Sequence, residues 1–124
     1  MVKAVGTDIV TIERVAAAVK RGGERFVERI LTPFEQSQYQ ARGNSISYVA
    51  KRFAAKEAVA KALGTGIGRG ISWQHIQIEN DEQGAPQLVL TGPAAERQAQ
   101  LGSRQAHISI ADEVDQAIAF VVLS

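Results

Sequence analysis

The chain has no cysteine among its 124 residues. Disulfides, thiolate metal sites and cysteine nucleophiles are therefore excluded. Histidine is almost as scarce. His75 and His107 stand 32 positions apart, which argues against an imidazole-based zinc site. Long hydrophobic runs are missing too. The longest, Ala117 to Leu123, has seven residues, far short of the roughly 20 that span a bilayer. The start, MVKAVGTD, has basic and apolar stretches too short for a signal peptide, with an aspartate close behind. The expectation is a cytoplasmic protein with no membrane partner. Four Phe, two Tyr and one Trp are few aromatics, and none interleaves with basic residues. Nucleic acid is thus not an expected partner.

What is present is ordinary in amount and uneven in placement. The 45% hydrophobic and 22% charged composition is that of a soluble globular protein. The length suits a single domain over residues 1–124, one that buries about two thirds of its unfolded surface. The net charge of +1 hides an asymmetry. Residues 1–62 carry eleven Lys/Arg against six Asp/Glu, and residues 63–124 carry three against seven, so +5 and −4 return +1. A basic first half suits an anionic partner, a phosphate-rich ligand or an acidic protein, or is merely a solvated face.

Punctuation divides the chain into elements. Val2 to Val10 is β-branched and loosely alternating, a strand. Helical spacing runs from Ile12 to about Arg21, is interrupted at Gly22-Gly23, and resumes over 24–31. Thr32-Pro33-Phe34-Glu35 is a capping box with proline at the first helical position, opening a helix to about Ala41. A long helix is predicted from Ser47 to Leu63, stopped by Gly64. After a glycine-rich loop, 64–70, a hairpin joins 75–79 to 87–91. A short helix opens at Gly92-Pro93, and strands 107–110 and 117–123 close the chain. Helices first and strands mostly last predict an α+β fold, helices packed on a small antiparallel sheet.

Two carboxylates stand where carboxylates are costly. On a helical wheel of the long helix, Ile46, Val49, Ala50, Phe53 and Ala60 form one apolar stripe, and Glu57 falls in its middle. It is there to pair with Lys61 at i+4, as in an ordinary helix salt bridge, or to bind a metal. Arg52 and Lys56 make a second i, i+4 pair on the flank, solvated or phosphate-binding. Asp8 lies inside a strand, where aspartate is depleted, on the face of Val2, Ala4, Gly6 and Val10. It is a strand-end cap or the partner of Glu57 in a Mg²⁺ site completed by water and phosphate oxygens. The loop Gly64 to Gly70 follows a helix and precedes a strand, so it is no P-loop. It is a connector or a close approach to a phosphate. His107 and Ser109 share one strand face, opposite Ile108 and Ile110, structural or phosphate-binding. Arg14, Arg21 and Arg25 share a helix face if the first helical region is roughly continuous, and such a face suits an acidic partner helix.

Together these residues resemble a family. Gly6-Thr-Asp-Ile-Val10 with Arg14, Lys51-Arg-Phe-Ala-Ala-Lys-Glu-Ala58 with Lys61-Ala-Leu-Gly-Thr-Gly66, Asn80-Asp-Glu-Gln-Gly-Ala-Pro86 and His107-Ile-Ser-Ile-Ala-Asp-Glu113 resemble the bacterial holo-[acyl-carrier-protein] synthases over essentially the whole chain. That family comprises 4′-phosphopantetheinyl transferases. The resemblance implies an α+β homotrimer that, with Mg²⁺, moves the phosphopantetheine arm of coenzyme A onto a serine of apo acyl carrier protein for fatty acid biosynthesis. It releases adenosine 3′,5′-bisphosphate. The resemblance assigns Asp8 and Glu57 to the metal and Lys61 to the transferred phosphate. It assigns Arg52, Gly64, Thr65, Gly66, His107 and Ser109 to a coenzyme A pocket at subunit interfaces. It assigns Arg14, Arg21 and Arg25 to the carrier protein's acidic helix. The base for the serine proton is Glu57 or a metal-bound water that it orients. Two other functions stay open on the residues alone: a non-catalytic adaptor for an acidic protein, and a small acyl-CoA thioesterase working without metal.

Overall fold

The computed structural model describes all residues, 1–124. Strand β1 (Ala4–Thr11) runs directly into helix α1 (Ile12–Ile30). Helices α2 (Pro33–Ala41) and α3 (Ile46–Leu63) follow. A single 3-10 turn (Trp73–His75) leads into the hairpin β2 (Ile76–Asn80) and β3 (Pro86–Leu90). Helix α4 (Gly92–Gln100) and strands β4 (Ala106–Asp112) and β5 (Gln116–Leu123) complete the chain. The strands form two antiparallel sheets, ordered β1-β5-β4 and β2-β3. The α+β expectation holds, with four helices on small antiparallel sheets.

Local chemistry sets the boundaries. The Thr32 hydroxyl accepts from Glu35 N at 3.3 Å while Glu35 Oε1 accepts from Thr32 N at 2.8 Å, a complete capping box. Ser45 caps α3, and Gly64 ends it in the left-handed conformation (φ 77°), where side chains are strained. The first helical region is not continuous. Gly23 (φ 59°, ψ −144°) breaks α1 inside its span. Arg25 therefore leaves the face shared by Arg14 and Arg21, because the helical phase restarts after the break.

Helix α3 is the centre of the fold. Its alanines 54, 55, 58 and 62, with Val59 and Leu63, pack against Ile76, Ile78, Ala119, Val121 and Leu123. Its first half joins a second cluster with Val15, Val27, Ile30, Leu31 and Tyr39. The wheel reading needs correction here. Small alanines let strands approach on the far side, so α3 is buried almost all round. Phe53 and Glu57 are half-buried and Lys61 is exposed, which makes theirs the least covered ridge. Glu57 is not in the middle of the core face but at its open edge. The closeness of β1 depends on Gly6, where an added Cβ would sit 2.0 Å from the Ala58 carbonyl oxygen. No side chain fits there without prising β1 from α3.

Strand β5 alternates. Ala117, Ala119, Val121 and Leu123 face α3 and are fully buried. Ile118 and Phe120 face outward beside Val5 and Ile9 of β1, each 43–56% exposed. The sheet thus has one face on the core and one apolar face open.

Candidate active site

The contact of β1 with α3 brings Asp8 to the Glu57–Lys61 ridge. Lys61 Nζ donates to Asp8 Oδ1 at 2.9 Å and to the Thr7 carbonyl at 3.1 Å. The i, i+4 pairing of Glu57 with Lys61 does not form. The strand carboxylate wins the ammonium, because β1 presents a carboxylate and a carbonyl together. Glu57 instead accepts from the indole Nε1 of Trp73 at 3.3 Å. Burial pushes the Glu57 carboxyl up from its ordinary value. The Trp73 N–H pulls it back, the nearby Asp8 charge pushes it further up, and Lys61 lowers it. A carboxylate held at this cost has a reason to be there.

Asp8 and Glu57 line one cavity of about 400 Å³. Arg14 and Arg21 reach into it from the first part of α1, and Phe26 and Phe53 supply apolar wall. Arg25 does not. The cavity therefore combines two carboxylates, two guanidiniums and an apolar wall. Two carboxylates lining one cavity are hard oxygen donors that fit Mg²⁺, which takes one or two carboxylates and fills its remaining positions with water and phosphate oxygens.

The remaining residues predicted for the site stand elsewhere in the single chain. Arg52 is not a solvated flank residue. It is 4% exposed, donates to Asn80 Oδ1 at 2.6 Å and lies over the Tyr48 ring at 4.6 Å. Lys56 is not solvated either. It is fully buried and ion-paired to Glu35 at 2.6 Å. Gly64 and Thr65 line a separate groove with Arg69 and Arg97, and Arg97 Nε caps α3 by donating to the Leu63 carbonyl at 2.9 Å. His107 and Ser109 lie on the open face of the sheet, with His107 Nε2 3.1 Å from Ser124 Oγ. Asp8 points to the opposite face.

Sequence reasoning missed two contributors. Trp73 holds Glu57 from 16 positions away, and only its being the sole tryptophan marked it. Glu35 was legible as a capping residue but not as the anion beneath Lys56.

Comparison with known proteins identifies the family and the fold. Residues 4–121 match the family model of the 4′-phosphopantetheinyl transferase superfamily. A holo-[acyl-carrier-protein] synthase of Shewanella denitrificans is 56% identical over 119 residues, covering 96% of this chain and 94% of its own. The Shewanella amazonensis counterpart is 55% identical over 118 residues, covering 95% and 94%. The crystal structure of the Neisseria meningitidis enzyme of that name superposes with a TM-score of 0.92 at 42% identity, covering 100% of this chain and 99% of its own. That of the Helicobacter pylori enzyme in complex with coenzyme A gives 0.85 at 36% identity, covering 97% and 99%.

Proposed function

This chain belongs to the 4′-phosphopantetheinyl transferase superfamily, and from that premise we propose that it transfers the phosphopantetheine arm of coenzyme A to a serine of an apo acyl carrier protein at the Asp8–Glu57–Lys61 cavity, in service of fatty acid synthesis. It is a phosphopantetheinyl transferase; the site, the metal and the pathway are the proposal. The observation that carries the site is the junction of β1 and α3, where two carboxylates and an ammonium meet beside an apolar, arginine-flanked cavity.

The serine oxygen forms a bond to the phosphorus that bears the pantetheine arm. The bond from that phosphorus to the bridging pyrophosphate oxygen breaks, and adenosine 3′,5′-bisphosphate leaves with the electron pair. The serine proton goes to a base. Asp8 and Glu57 are the residues that would hold Mg²⁺, which when bound supplies positive charge to the pyrophosphate oxygens. Lys61 is exposed and attached only at its tip, so its ammonium is free to swing from Asp8 to a phosphate oxygen. Glu57, its carboxyl shifted upward by burial and facing the same cavity, is the candidate acceptor of the serine proton.

Arg14 and Arg21 offer an acidic helix two charges at the mouth of the same cavity, so docking and chemistry share one entrance. His107 and Ser109 join the site only if another copy supplies them. The open apolar face around Val5, Ile9, Ile118 and Phe120 supports that arrangement, three copies meeting sheet to sheet with coenzyme A between them. Light scattering is expected to read three chain masses at micromolar concentration. A monomer would count against an interfacial pocket.

The functional test is mass spectrometry of apo acyl carrier protein incubated with coenzyme A and Mg²⁺. The expected result is a gain of one phosphopantetheine, abolished by chelator. Arg14→Glu is expected to raise the KM for carrier protein roughly tenfold through loss of a partly desolvated charge contact, and Arg25→Glu much less. Metal-independent hydrolysis of an acyl-CoA thioester to free coenzyme A, without carrier modification, would favour the thioesterase reading instead.

A further inference from the structure

Helix α3 places two charged neighbours side by side, and a single tryptophan touches both. Lys56 Nζ donates to the Trp73 carbonyl at 3.1 Å, while Trp73 Nε1 donates to Glu57 Oε1 at 3.3 Å. Lys56 itself has nowhere to go. Its other donors are spent on Glu35 Oε1 and the Ile30 carbonyl, each at 2.6 Å, and Glu35 Oε2 accepts from Ile78 N at 2.8 Å. The turn that carries Trp73 is strapped to the end of α1 as well. Gln74 Nε2 donates to the carbonyls of Glu28 and Leu31 at 2.8 and 2.9 Å. The indole is flanked by the Phe53 ring, centroids 6.4 Å apart, and by the Arg29 guanidinium at 5.7 Å.

A glutamate's terminal torsion is soft, so a half-buried carboxylate at a cavity edge would ordinarily sample many orientations. Here one oxygen is held by an indole whose own backbone is pinned from beneath. We propose that Trp73 is a positioning residue for Glu57: its N–H holds Oε1 and turns Oε2, which takes no protein hydrogen bond, toward a divalent cation. The buried Glu35–Lys56 pair is the anchor of that device. The proposal rests on the reading of Asp8 and Glu57 as the residues that hold metal. Outer contacts of this kind orient a ligand without touching the ion.

The test uses full-length protein without coenzyme A or carrier protein. Trp73→Phe keeps the ring and removes the donor. Free Mn²⁺, measured by electron paramagnetic resonance, reports affinity directly. The expected result is affinity about tenfold weaker in Trp73→Phe, in line with loss of an outer-shell partner, with circular dichroism and melting temperature unchanged. In the wild type, emission of the sole tryptophan is expected to change on Mg²⁺ titration, with the midpoint at which Mg²⁺ displaces Mn²⁺. If Trp73→Phe binds Mn²⁺ like the wild type while Glu57→Gln has lost it, the positioning role is overturned and the metal site stands. If Trp73→Phe only lowers the melting temperature, the contact is structural and the proposal likewise fails. If Glu57→Gln itself binds Mn²⁺ normally, the metal reading falls and the positioning role with it.

Discussion

Lys56 and Glu57 are adjacent on one helix and live in opposite circumstances. Lys56 is fully buried, and each of its three donors is spent, on Glu35, Ile30 and Trp73. Burial drags its ammonium below the ordinary lysine range while Glu35 holds it up. Glu57, one position on, is half-buried with one weak partner, another carboxylate nearby, and an open cavity in front of it. The first group of charges is closed on itself and organises three helices and a strand. The second is left partly unsatisfied, which is the condition of a group that still has something to bind. Satisfaction, more than burial or charge alone, separates the structural titratable groups of this chain from those proposed for function.

The contrast breaks most visibly in activity. Asp8→Asn and Glu57→Gln keep shape and remove charge. Each is expected to lower the rate of carrier modification by about 100-fold or more, through lost metal-assisted charge stabilisation, with the circular dichroism spectrum intact. Near-normal turnover in either variant removes that residue from the metal site.

Lys56→Met tests the other side. It leaves the Glu35 carboxylate buried without its counter-charge, and the expected cost is about 3–5 kcal/mol, read from urea denaturation midpoints. Adding Glu35→Gln is expected to recover much of that loss, because the uncompensated charge goes. If Lys56→Met were nearly neutral, the closed network would not be the structural hub described here.

The smallest effect concerns pH. The Glu57 carboxyl is raised in the folded chain, chiefly by burial. Below its ordinary value it is protonated both folded and unfolded, and it costs the fold nothing. As pH rises through the ordinary value and then through the raised folded one, the unfolded chain gives up its proton first and stability is lost. Glu57→Gln removes this loss. Without metal, its melting temperature is expected to rise relative to the wild type between acid and neutral pH, the gap widening as pH increases. Asp8→Asn is expected to show no such gain, since it also strips Lys61 of its partner. A gap for Glu57→Gln that narrows with pH would mean the carboxylate is better satisfied than its surroundings indicate.

The elements were legible because their signals are local. Thr32 and Glu35 close a capping box within four residues. Gly64 stops α3 where a left-handed residue is needed, and a seven-residue apolar run marks β5, although the run did not show that only one of its faces is buried. The residues of the proposed centre were also legible, since a strand aspartate and a helix glutamate are out of place by type alone and stand in recognisable runs. Their partners were not. Lys61 turned to Asp8 instead of Glu57, because a stretch of chain separating the two by 53 positions had to fold before the strand could compete with the helix for it. Arg52 and Lys56 read as surface charges because periodicity sees only their own helix, and both were covered by segments distant in sequence. Arg25 left the shared arginine face because Gly23 adopted a conformation that helical phase does not foresee.

The sequence by itself determined the order of the helices and strands and most of their ends, the absence of thiol chemistry and of any helix long and apolar enough to cross a membrane, and the residue types able to hold a divalent cation. Tertiary structure alone decided which charges are satisfied and which are left open. The physical reason is reach. Propensity, capping and periodicity act within a few residues, whereas desolvation and ion pairing depend on what packs from elsewhere. At this site the deciding contact is the one that Gly6 permits, a strand lying close enough on α3 to set Asp8 beside Glu57 and Lys61.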